Sequence, residues 1–279
     1  MKRSAHLTAL TALVATAVAT VGYPSSAGWF GFSPFSRVVD ATFRLGSGTR
    51  LEVRTSSFDL TLVPDSDSAL RVHGTVRGWS RRGLDGVTVT RRASDGRTIV
   101  SIDKPAGAFT HIVGGRFTLH VPRVSALDVV SSSGNVSVSN PSAPLGIRAQ
   151  SGGVLVDRAR VPVTVMTSSG NVVVNGATAA LCAQTRSGDV RARDIGASLS
   201  LTSSSGDQRV TIAPTWSGTS LALQSTSGNI DVSVPRGFRG VLHATTRSGD
   251  VRNVARLPTT LTGAPSLDVA TTSGDITIH

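Results

Sequence analysis

The chain has 279 residues, of which 39% are hydrophobic and only 4% aromatic, and its formal net charge is +11. A single cysteine, Cys182, excludes an internal disulfide scaffold. The excess of arginine predicts attraction to polyanions, but the scarcity of aromatic side chains argues against a nucleic-acid surface that stacks on bases.

The first 27 residues have the layout of a secretory signal peptide. Two basic residues open the chain, and an uncharged stretch with an apolar centre at Leu7 to Val21 follows. The small residues Ser25 and Ala27 suit cleavage before Gly28. The apolar run is marginal for a helix that spans a bilayer, which needs about 20 residues. We therefore expect an exported protein, with residues 1–27 either removed or kept as a membrane anchor.

Residues 28–39 form a lead-in segment before the main domain, which we place at residues 40–279. The segment begins with GWFGFSPFS, which is apolar and aromatic but lacks the alternation of a strand. Three roles are open for it: a cap over the first repeat, a bridge to the membrane, or a contact with a partner.

An irregular region follows and interrupts the repeat described below. The sequence GWSRRGLDG reads as a loop or lid, and it holds Trp79, Arg81 and Arg82. An exposed Trp beside two arginines is a candidate ligand-contact patch, and the alternative is a Trp that plugs the end or side of the fold. Beyond it, Val87 to Thr90 and Thr98 to Ile102 read as the two strands of a hairpin.

The repeat that organises the chain is a Ser-Gly pair followed by Asn, Asp or Gly. Five of these corners are spaced 18 residues apart, and the later gaps are 22, 21 and 25 residues. A degenerate copy near the N-terminus has Phe58 in place of the glycine. A period of this size indicates stacked coils. The corner glycines are Gly134, Gly152, Gly170, Gly188, Gly206, Gly228, Gly249 and Gly274.

Apolar residues flank every corner at fixed distances. They fill the positions seven and five residues before the glycine in each copy, and those two and four residues after it with the exceptions Gln208 and Asn253. A separation of two is the period of a β-strand with one buried face. The sequence therefore predicts an all-β, single-stranded β-solenoid of about 18 to 22 residues per coil, with a β-hairpin insertion near its N-terminal end.

The corner residues have a structural interpretation. Glycine can take the left-handed backbone of a tight corner, and the Asn or Asp that follows can hydrogen-bond the local backbone. Ser or Thr stands three residues before the glycine in all copies but the one with Ala149. By strand alternation this hydroxyl points inward, where we expect it to satisfy a buried backbone group.

Strings such as TSSGNVVV, TRSGDVRA and TTSGDITI carry a resemblance to a known family. The chain resembles the bacterial putative adhesin family, domains of unknown function built as β-solenoids with Ser-Gly-Asp repeats, over roughly residues 40 to 279. This resemblance implies an envelope or surface protein with a binding or structural role, and it supplies no catalytic residues. Phe58 and Gly153, which takes the Asx position, depart from the pattern.

Arginines in outward positions near the corners are the candidate ligand contacts. Like charges in stacked coils repel unless an anion or a carboxylate lies between them. For an exported protein the available anions are cell-wall polymers, glycans and acidic membrane surfaces. The alternative is that arginine is only a soluble surface residue. The candidates are Arg186 and Arg247 two residues before a corner glycine, and Arg191, Arg209 and Arg252 three residues after one.

Other chemistry finds little support in the sequence. Calcium-binding β-rolls use GGxGxD turns, whereas half of the Asx positions here are Asn or Gly. The histidines are scattered and none stands in a metal-ligand spacing. No GxSxG elbow occurs in a strand-turn-helix context. We predict no enzyme activity, no cofactor and no metal.

The C-terminal strand, Asp275 to Ile278, is predicted to be an open edge because no sequence follows to cover it. Such an edge invites self-association or a protein partner, unless the hairpin insertion folds back over it. Two functions remain open: an adhesin-like module at the cell surface that binds anionic or glycan polymers, and a structural or signalling envelope component that acts through a protein partner.

Overall fold

The computed structural model describes residues 35–46, 48–94, 96–104 and 112–279. The predicted signal segment and the first part of the lead-in segment lie outside the described residues. Within these ranges the chain forms one short helix and 23 strands. The elements of the N-terminal part are β1 (Phe35–Arg44), β2 (Arg50–Thr55), β3 (Asp59–Pro64), β4 (Ala69–Gly78), α1 (Arg81–Asp85), β5 (Thr88–Ser94), β6 (Arg97–Asp103) and β7 (Ile112–Val121).

From β8 onward the strands alternate regularly, one before and one after each corner. They are β8 (Ala126–Ser133), β9 (Val136–Ser139), β10 (Leu145–Ser151), β11 (Val154–Asp157), β12 (Val163–Ser169), β13 (Val172–Ala177), β14 (Leu181–Ser187), β15 (Val190–Ile195), β16 (Leu199–Ser205), β17 (Gln208–Ile212), β18 (Ser220–Ser227), β19 (Ile230–Ser233), β20 (Val241–Ser248), β21 (Val251–Asn253), β22 (Ser266–Ser273) and β23 (Ile276–Ile278).

Two sheets face each other across the stack, which confirms the predicted β-solenoid. Sheet one contains the strands that follow the corners, and in the described residues it has twelve strands. Sheet two contains the strands that precede the corners and has eleven. Corresponding positions of successive coils are paired in parallel, as when Leu181 lies beside Leu199 and Leu199 beside Leu221. Each coil is too thin to bury its own apolar face, so its neighbours bury it.

The N-terminal end of the stack is closed by antiparallel strands. The predicted hairpin is confirmed as β5 and β6, with Val89 opposite Ile102. Strands β6 and β7 add a further coil to the parallel stack beside β2 and β3. Strand β4 then pairs antiparallel with β7, and β1 with β4. Strand β1 starts at Phe35, inside the lead-in segment, so that segment contributes to this cap.

The predicted open edge at the C-terminal strand is wrong. Strand β23 lies between β19 and β21, and β22 lies between β18 and β20. The chain therefore passes over one coil position, builds the end coil from β20 and β21, and returns to fill the gap. The sheet edges at this end belong to the end coil, because β20 and β21 are the last strands of their sheets, and the segment after β21 covers part of the β20 edge, where the Leu242 N–H donates to the Pro258 carbonyl at 2.9 Å.

The apolar positions identified in the sequence are buried in the core, except Ala244 and Val251 of the end coil. Leu199 and Val172 are 2% and 0% exposed, whereas Thr202 on the other face of β16 is exposed. Both polar exceptions to the apolar pattern have structural partners. Gln208 is buried, and its Nε2 donates to Ser203 Oγ at 2.9 Å and to the Gln224 carbonyl at 2.6 Å. Asn253 lies in the end coil, where its side chain bonds both the N–H and the carbonyl of Leu257.

The corner glycines are required by the close approach of successive coils. A Cβ atom at Gly188 would lie 2.4 Å from the carbonyl oxygen of Gly170, and one at Gly170 would lie 2.1 Å from that of Gly152. The predicted left-handed backbone holds for six corners but not for Gly134 and Gly170, whose φ angles lie outside the positive region. Phe58 stands where the other copies have glycine, and its buried ring packs on Phe117 with the centroids 5.2 Å apart.

The Asn and Asp residues at the corners bond to the next coil, which corrects the predicted local hydrogen bond. The Oδ1 atom of Asp207, for example, accepts from the N–H of Asn229 at 2.9 Å. Equivalent bonds of 2.8 to 3.2 Å join the other coils. We call this column the Asx ladder; it comprises Asp59, Asn135, Asn171, Asp189, Asp207, Asn229, Asp275 and Asp250. Gly153 interrupts it, because glycine has no side chain to accept the N–H of Asn171.

The inward hydroxyls near the corners behave as predicted only in part. They are buried in most coils, and Ser131 Oγ bonds both the N–H and the carbonyl of Gly134. Thr55 Oγ1 likewise accepts from the N–H of Phe58 at 3.3 Å. The hydroxyls of Thr167 and Thr185 are buried without a hydrogen-bond partner among the described atoms.

Filling the gap in the Asx ladder should stabilise the solenoid. Gly153→Asn adds an acceptor for the N–H of Asn171 and removes a flexible glycine from the unfolded chain, so we expect unfolding to cost about 1 kcal/mol more. The φ angle of Gly153 is not positive, and its nearest Cβ contact would be Asn135 Oδ1 at 3.3 Å. Urea denaturation measures the change. Gly153→Ala is the control, since it supplies no acceptor. Equal stability of the two variants would show that a hydrogen bond of the Asx ladder does not stabilise the fold.

Candidate anion-binding surface

Five of the candidate arginines lie along one side of the solenoid. Each stands two residues before or three residues after a corner glycine, so each flanks the line of corners. We call this line with its flanking positions the corner edge; its arginines are Arg186, Arg191, Arg209, Arg247 and Arg252.

The order of the coils sets the spacing along the corner edge. Arg191 and Arg209 are directly paired on neighbouring strands β15 and β17. Asp231 and Thr277 then separate Arg209 from Arg252. With about 4.8 Å between strands, the five arginines are distributed over roughly 19 Å. The sequence order alone would place Arg252 one coil too close, because it does not show that β23 intervenes.

Two of these arginines are neutralised by the Asx ladder. The guanidinium of Arg191 lies 3.0 Å from the carboxylate of Asp189, and that of Arg252 lies 3.4 Å from Asp250. Each carboxylate stands one residue before the strand of its arginine, β15 or β21, and two residues from the arginine itself. Arg191 and Arg252 are thus less available to a ligand than the sequence predicted.

The other three arginines of the corner edge form no ion pair among the described residues. Arg186, Arg209 and Arg247 are exposed, and none has an ion pair or side-chain hydrogen bond within the residues that the structure describes. Arg209 faces Arg191 on one side and Asp231 on the other. The positive charge of the corner edge is therefore concentrated in these three side chains.

A second charged patch, on the outer face of sheet two, is paired internally. Arg54 and Arg97 both contact Glu52, at 2.5 and 3.3 Å, and Arg50 lies 2.7 Å from Asp128. The hydrogen bond to Asp128 raises the pKa of Arg50. Because its charges are satisfied within the protein, this patch is not a candidate for binding a polyanion.

Trp79, Arg81 and Arg82 lie far from the corner-edge arginines, at the N-terminal cap. The predicted loop there is the helix α1, capped by Ser80 and tied down by Arg37, whose Nη1 donates to the Leu84 carbonyl at 2.7 Å. Trp79 is 49% exposed, so it does not plug the stack. Arg81 lies over the ring of Phe35, 5.1 Å from its centroid.

Sequence reasoning missed a cavity of about 470 Å³ on the outer face of sheet one. Strands β4 and β7 form most of its wall, with His73, Thr75 and Arg77 from β4 and Gly114 and Arg116 from β7. The antiparallel pairing of these strands lies outside the repeat, so the repeat could not predict it. The available signal was Gly114-Gly115 inside a strand, a mark of close approach or open space.

The described part of the chain contains no group of three or more His, Cys, Asp and Glu side chains arranged to hold a metal ion. In the same part of the chain, no helix has the length and apolar character needed to cross a membrane.

Comparison with known families gives one match that spans the whole repeat. The family model Toastrack DUF4097 matches residues 48–279, which include all the coils from β2 to β23. No curated protein sequence matches the chain.

Several solved structures are similar at low sequence identity. A putative adhesin from Bacteroides fragilis NCTC 9343 is 15% identical, with a TM-score of 0.48 and coverage of 89% of this chain and 100% of that chain. A putative adhesin from Parabacteroides merdae ATCC 43184 is 10% identical, with a TM-score of 0.38 and coverages of 85% and 95%. A putative lipid binding protein from Parabacteroides distasonis ATCC 8503 is 11% identical, with a TM-score of 0.38 and coverages of 85% and 96%.

Proposed function

This chain belongs to the Toastrack DUF4097 family, and from that premise and the geometry of its surface we propose that it is an exported, non-catalytic binding module of the bacterial cell envelope. Its ligand class is an extended anionic polymer of the cell wall or a polyanionic glycan. The observation that carries the proposal is the corner edge, a continuous line of corners with three arginines that form no ion pair within the described residues.

The rigidity of the corner edge supports this proposal. From Asn171 onward each corner is joined to the next by the Asx ladder and by contacts that leave no room for a Cβ atom. Arginines on such a scaffold keep fixed separations, so a polymer with regularly spaced anions can contact several at once without paying to order the protein. The binding energy is electrostatic and decreases with salt.

The test is co-sedimentation of the purified full chain with isolated cell walls of the host, with and without their anionic polymers, across a salt series. We expect binding that falls with salt and with removal of the polymers. Changing Arg186, Arg209 and Arg247 together to Ser should weaken it by about tenfold, because each solvent-exposed charge contact is worth about 0.2 to 1 kcal/mol and three are lost.

A matched control removes the same charge from the opposite side of the solenoid. Arg123, Arg160 and Arg239 are exposed in the turns between sheet one and sheet two, away from the corners. Changing these three to Ser should leave wall binding nearly intact. Equal loss in both triple variants would show a general attraction of a basic protein to polyanions and would contradict a binding site at the corner edge.

The end coil favours the alternative, a structural or signalling envelope component that acts through a protein partner. Strands β20 and β21 end their sheets, and Val251, Val254 and Leu261 beside them are 43%, 63% and 51% exposed. Unpaired strand edges with exposed apolar side chains are suited to strand addition. Light scattering over a concentration series tests self-association through this end, with Val254→Lys as the variant that should prevent it.

A further inference from the structure

We propose that the cavity between β4 and β7 binds a small polyol that carries one phosphate or carboxylate group, with the anion held between Arg77 and Arg116. This site is distinct from the arginines of the corner edge. It requires an anionic unit with hydroxyl groups, not merely a negative charge.

The strand register brings the two arginines to one place. Arg77 lies directly opposite Gly114, and Thr75 lies directly opposite Arg116. Arg77 and Arg116 are therefore diagonal neighbours on one face of an antiparallel pair, about 7 to 8 Å apart at the backbone. Both line the cavity. At this distance two guanidinium groups can contact the same oxyanion, and arginine is suited to phosphate and carboxylate because its donors form a planar fork.

The guanidinium groups of Arg77 and Arg116 are free to bind a ligand. Neither has an ion pair or side-chain hydrogen bond among the described residues. Asp59 is directly opposite Arg116, but its Oδ1 accepts from the N–H and the Nδ2 of Asn135, at 2.9 and 3.1 Å. One carboxylate, that of Asp59, therefore lies beside two cations, so a net positive charge remains, and a bound anion neutralises it.

The other polar groups at the cavity can bind the hydroxyl groups of such a ligand. His73 Nδ1 lies 2.6 Å from the carboxylate of Asp40, so this pair is occupied internally. The hydroxyls of Thr75 and Thr118 and the second oxygen of Asp59 remain to meet hydroxyl groups of a polyol. The cavity is open to solvent on the face of the sheet, and its volume of about 470 Å³ exceeds what a single inorganic anion fills.

Glycine creates the space for the ligand. A Cβ atom at Gly114 would meet no atom within 4 Å, which places this position beside open space. Gly115, in contrast, faces the crowded core: a Cβ atom there would lie 2.8 Å from Val76 and 3.0 Å from Phe58. A larger side chain at Gly114 therefore enters the cavity without disturbing the core, and this allows the site to be blocked selectively.

The site also has a definite position relative to the corner edge. In the pairing of β7 with β3, Arg116 lies opposite Asp59, which is the first member of the Asx ladder. The cavity thus lies at the N-terminal end of the corner edge, where a terminal unit of a polymer could enter while the chain continues along the corners. The cavity can nevertheless be tested without any polymer, so its outcome is separate from that of the wall-binding experiment.

Isothermal titration calorimetry of the purified full chain with glycerol 3-phosphate and with glucuronate tests the proposal. We expect saturable binding of about one equivalent of at least one of these ligands, and much weaker binding of glycerol and glucose, which lack the anion. Preference for glycerol 3-phosphate would assign the site to phosphate-linked polyols, and preference for glucuronate to acidic sugars.

Three variants locate the binding. Gly114→Leu, Arg77→Gln and Arg116→Gln should each weaken it by about tenfold or more, because they fill the cavity or remove one charged donor. Arg160→Gln, on the opposite side of the solenoid, should leave the affinity unchanged. Circular dichroism melting verifies that the variants are folded; should Gly114→Leu fail to fold, the exposed Arg77 provides the same test.

Two results would overturn the proposal. One is the absence of saturable binding of both anionic ligands to the folded protein. The other is binding that Gly114→Leu and Arg77→Gln leave intact, since the anion would then lie elsewhere. Loss of wall binding in the corner-edge triple variant with normal titration of glycerol 3-phosphate, or the reverse, would show that the two sites act independently.

Discussion

Leu199→Asp is expected to lower the free energy of unfolding by about 5 kcal/mol or more, enough to unfold a solenoid of ordinary stability. Leu199 is 2% exposed in β16, and it is paired with Leu181 on one side and Leu221 on the other. The substitution removes an apolar side chain that contributes about 1.5 to 3 kcal/mol and places a carboxylate among aliphatic groups. Urea denaturation followed by circular dichroism measures the loss.

The matched control is Thr202→Asp in the same strand. Thr202 points outward, and its neighbours Gln184 and Gln224 in the adjacent coils are uncharged. A carboxylate there stays in water, so the change in the free energy of unfolding should remain within about 0.5 kcal/mol. Equal losses of stability in the two variants would mean that the inward and outward faces of the coil are assigned incorrectly.

The contrast between Leu199 and Thr202 shows why the fold could be predicted from the sequence. The two-residue period separates inward from outward positions within a strand, and the recurring corner repeats this pattern in every coil. Neither inference requires knowledge of distant contacts. The hairpin at β5 and β6 was equally accessible, since its strands are close in sequence.

The stacking order of the last coils could not be predicted from the repeat. Parallel strands with the same apolar pattern can pair with any neighbour of the same pattern, so the repeat does not fix which coil stacks on which. The signal was Asn253, a polar residue at an inward position, with Val251 only partly covered in the same strand. Such residues are tolerated where no further coil covers them, which is the end of the stack.

The candidate site was predicted less completely, because a ligand-binding surface depends on which charges are already paired. The pairing of Arg191 with Asp189 and of Arg252 with Asp250 was available from the spacing, since residues two apart in an extended segment share a side. The cavity at Arg77 and Arg116 was not available. Its residues lie on strands 40 or so positions apart that pair antiparallel outside the repeat.

The corner glycines raise a question that one further pair of variants answers: whether glycine is needed for its backbone conformation or for the absence of a side chain. Gly170→Ala should lower the free energy of unfolding by about 3 kcal/mol. Its Cβ atom would lie 2.1 Å from the carbonyl oxygen and 2.8 Å from the carbonyl carbon of Gly152. Since these are backbone atoms held by the coil above, relief requires the two coils to separate.

Gly237→Ala is the complementary variant. Gly237 has φ +82°, but a Cβ atom there would meet nothing within 4 Å. This substitution therefore imposes left-handed strain without crowding and should cost only about 1 kcal/mol. Gly170 presents the crowding without the positive φ. If thermal melting showed Gly237→Ala to be the more damaging change, backbone conformation would explain the corner glycines; the larger loss at Gly170 would show that the Ser-Gly repeat exists because successive coils touch backbone to backbone.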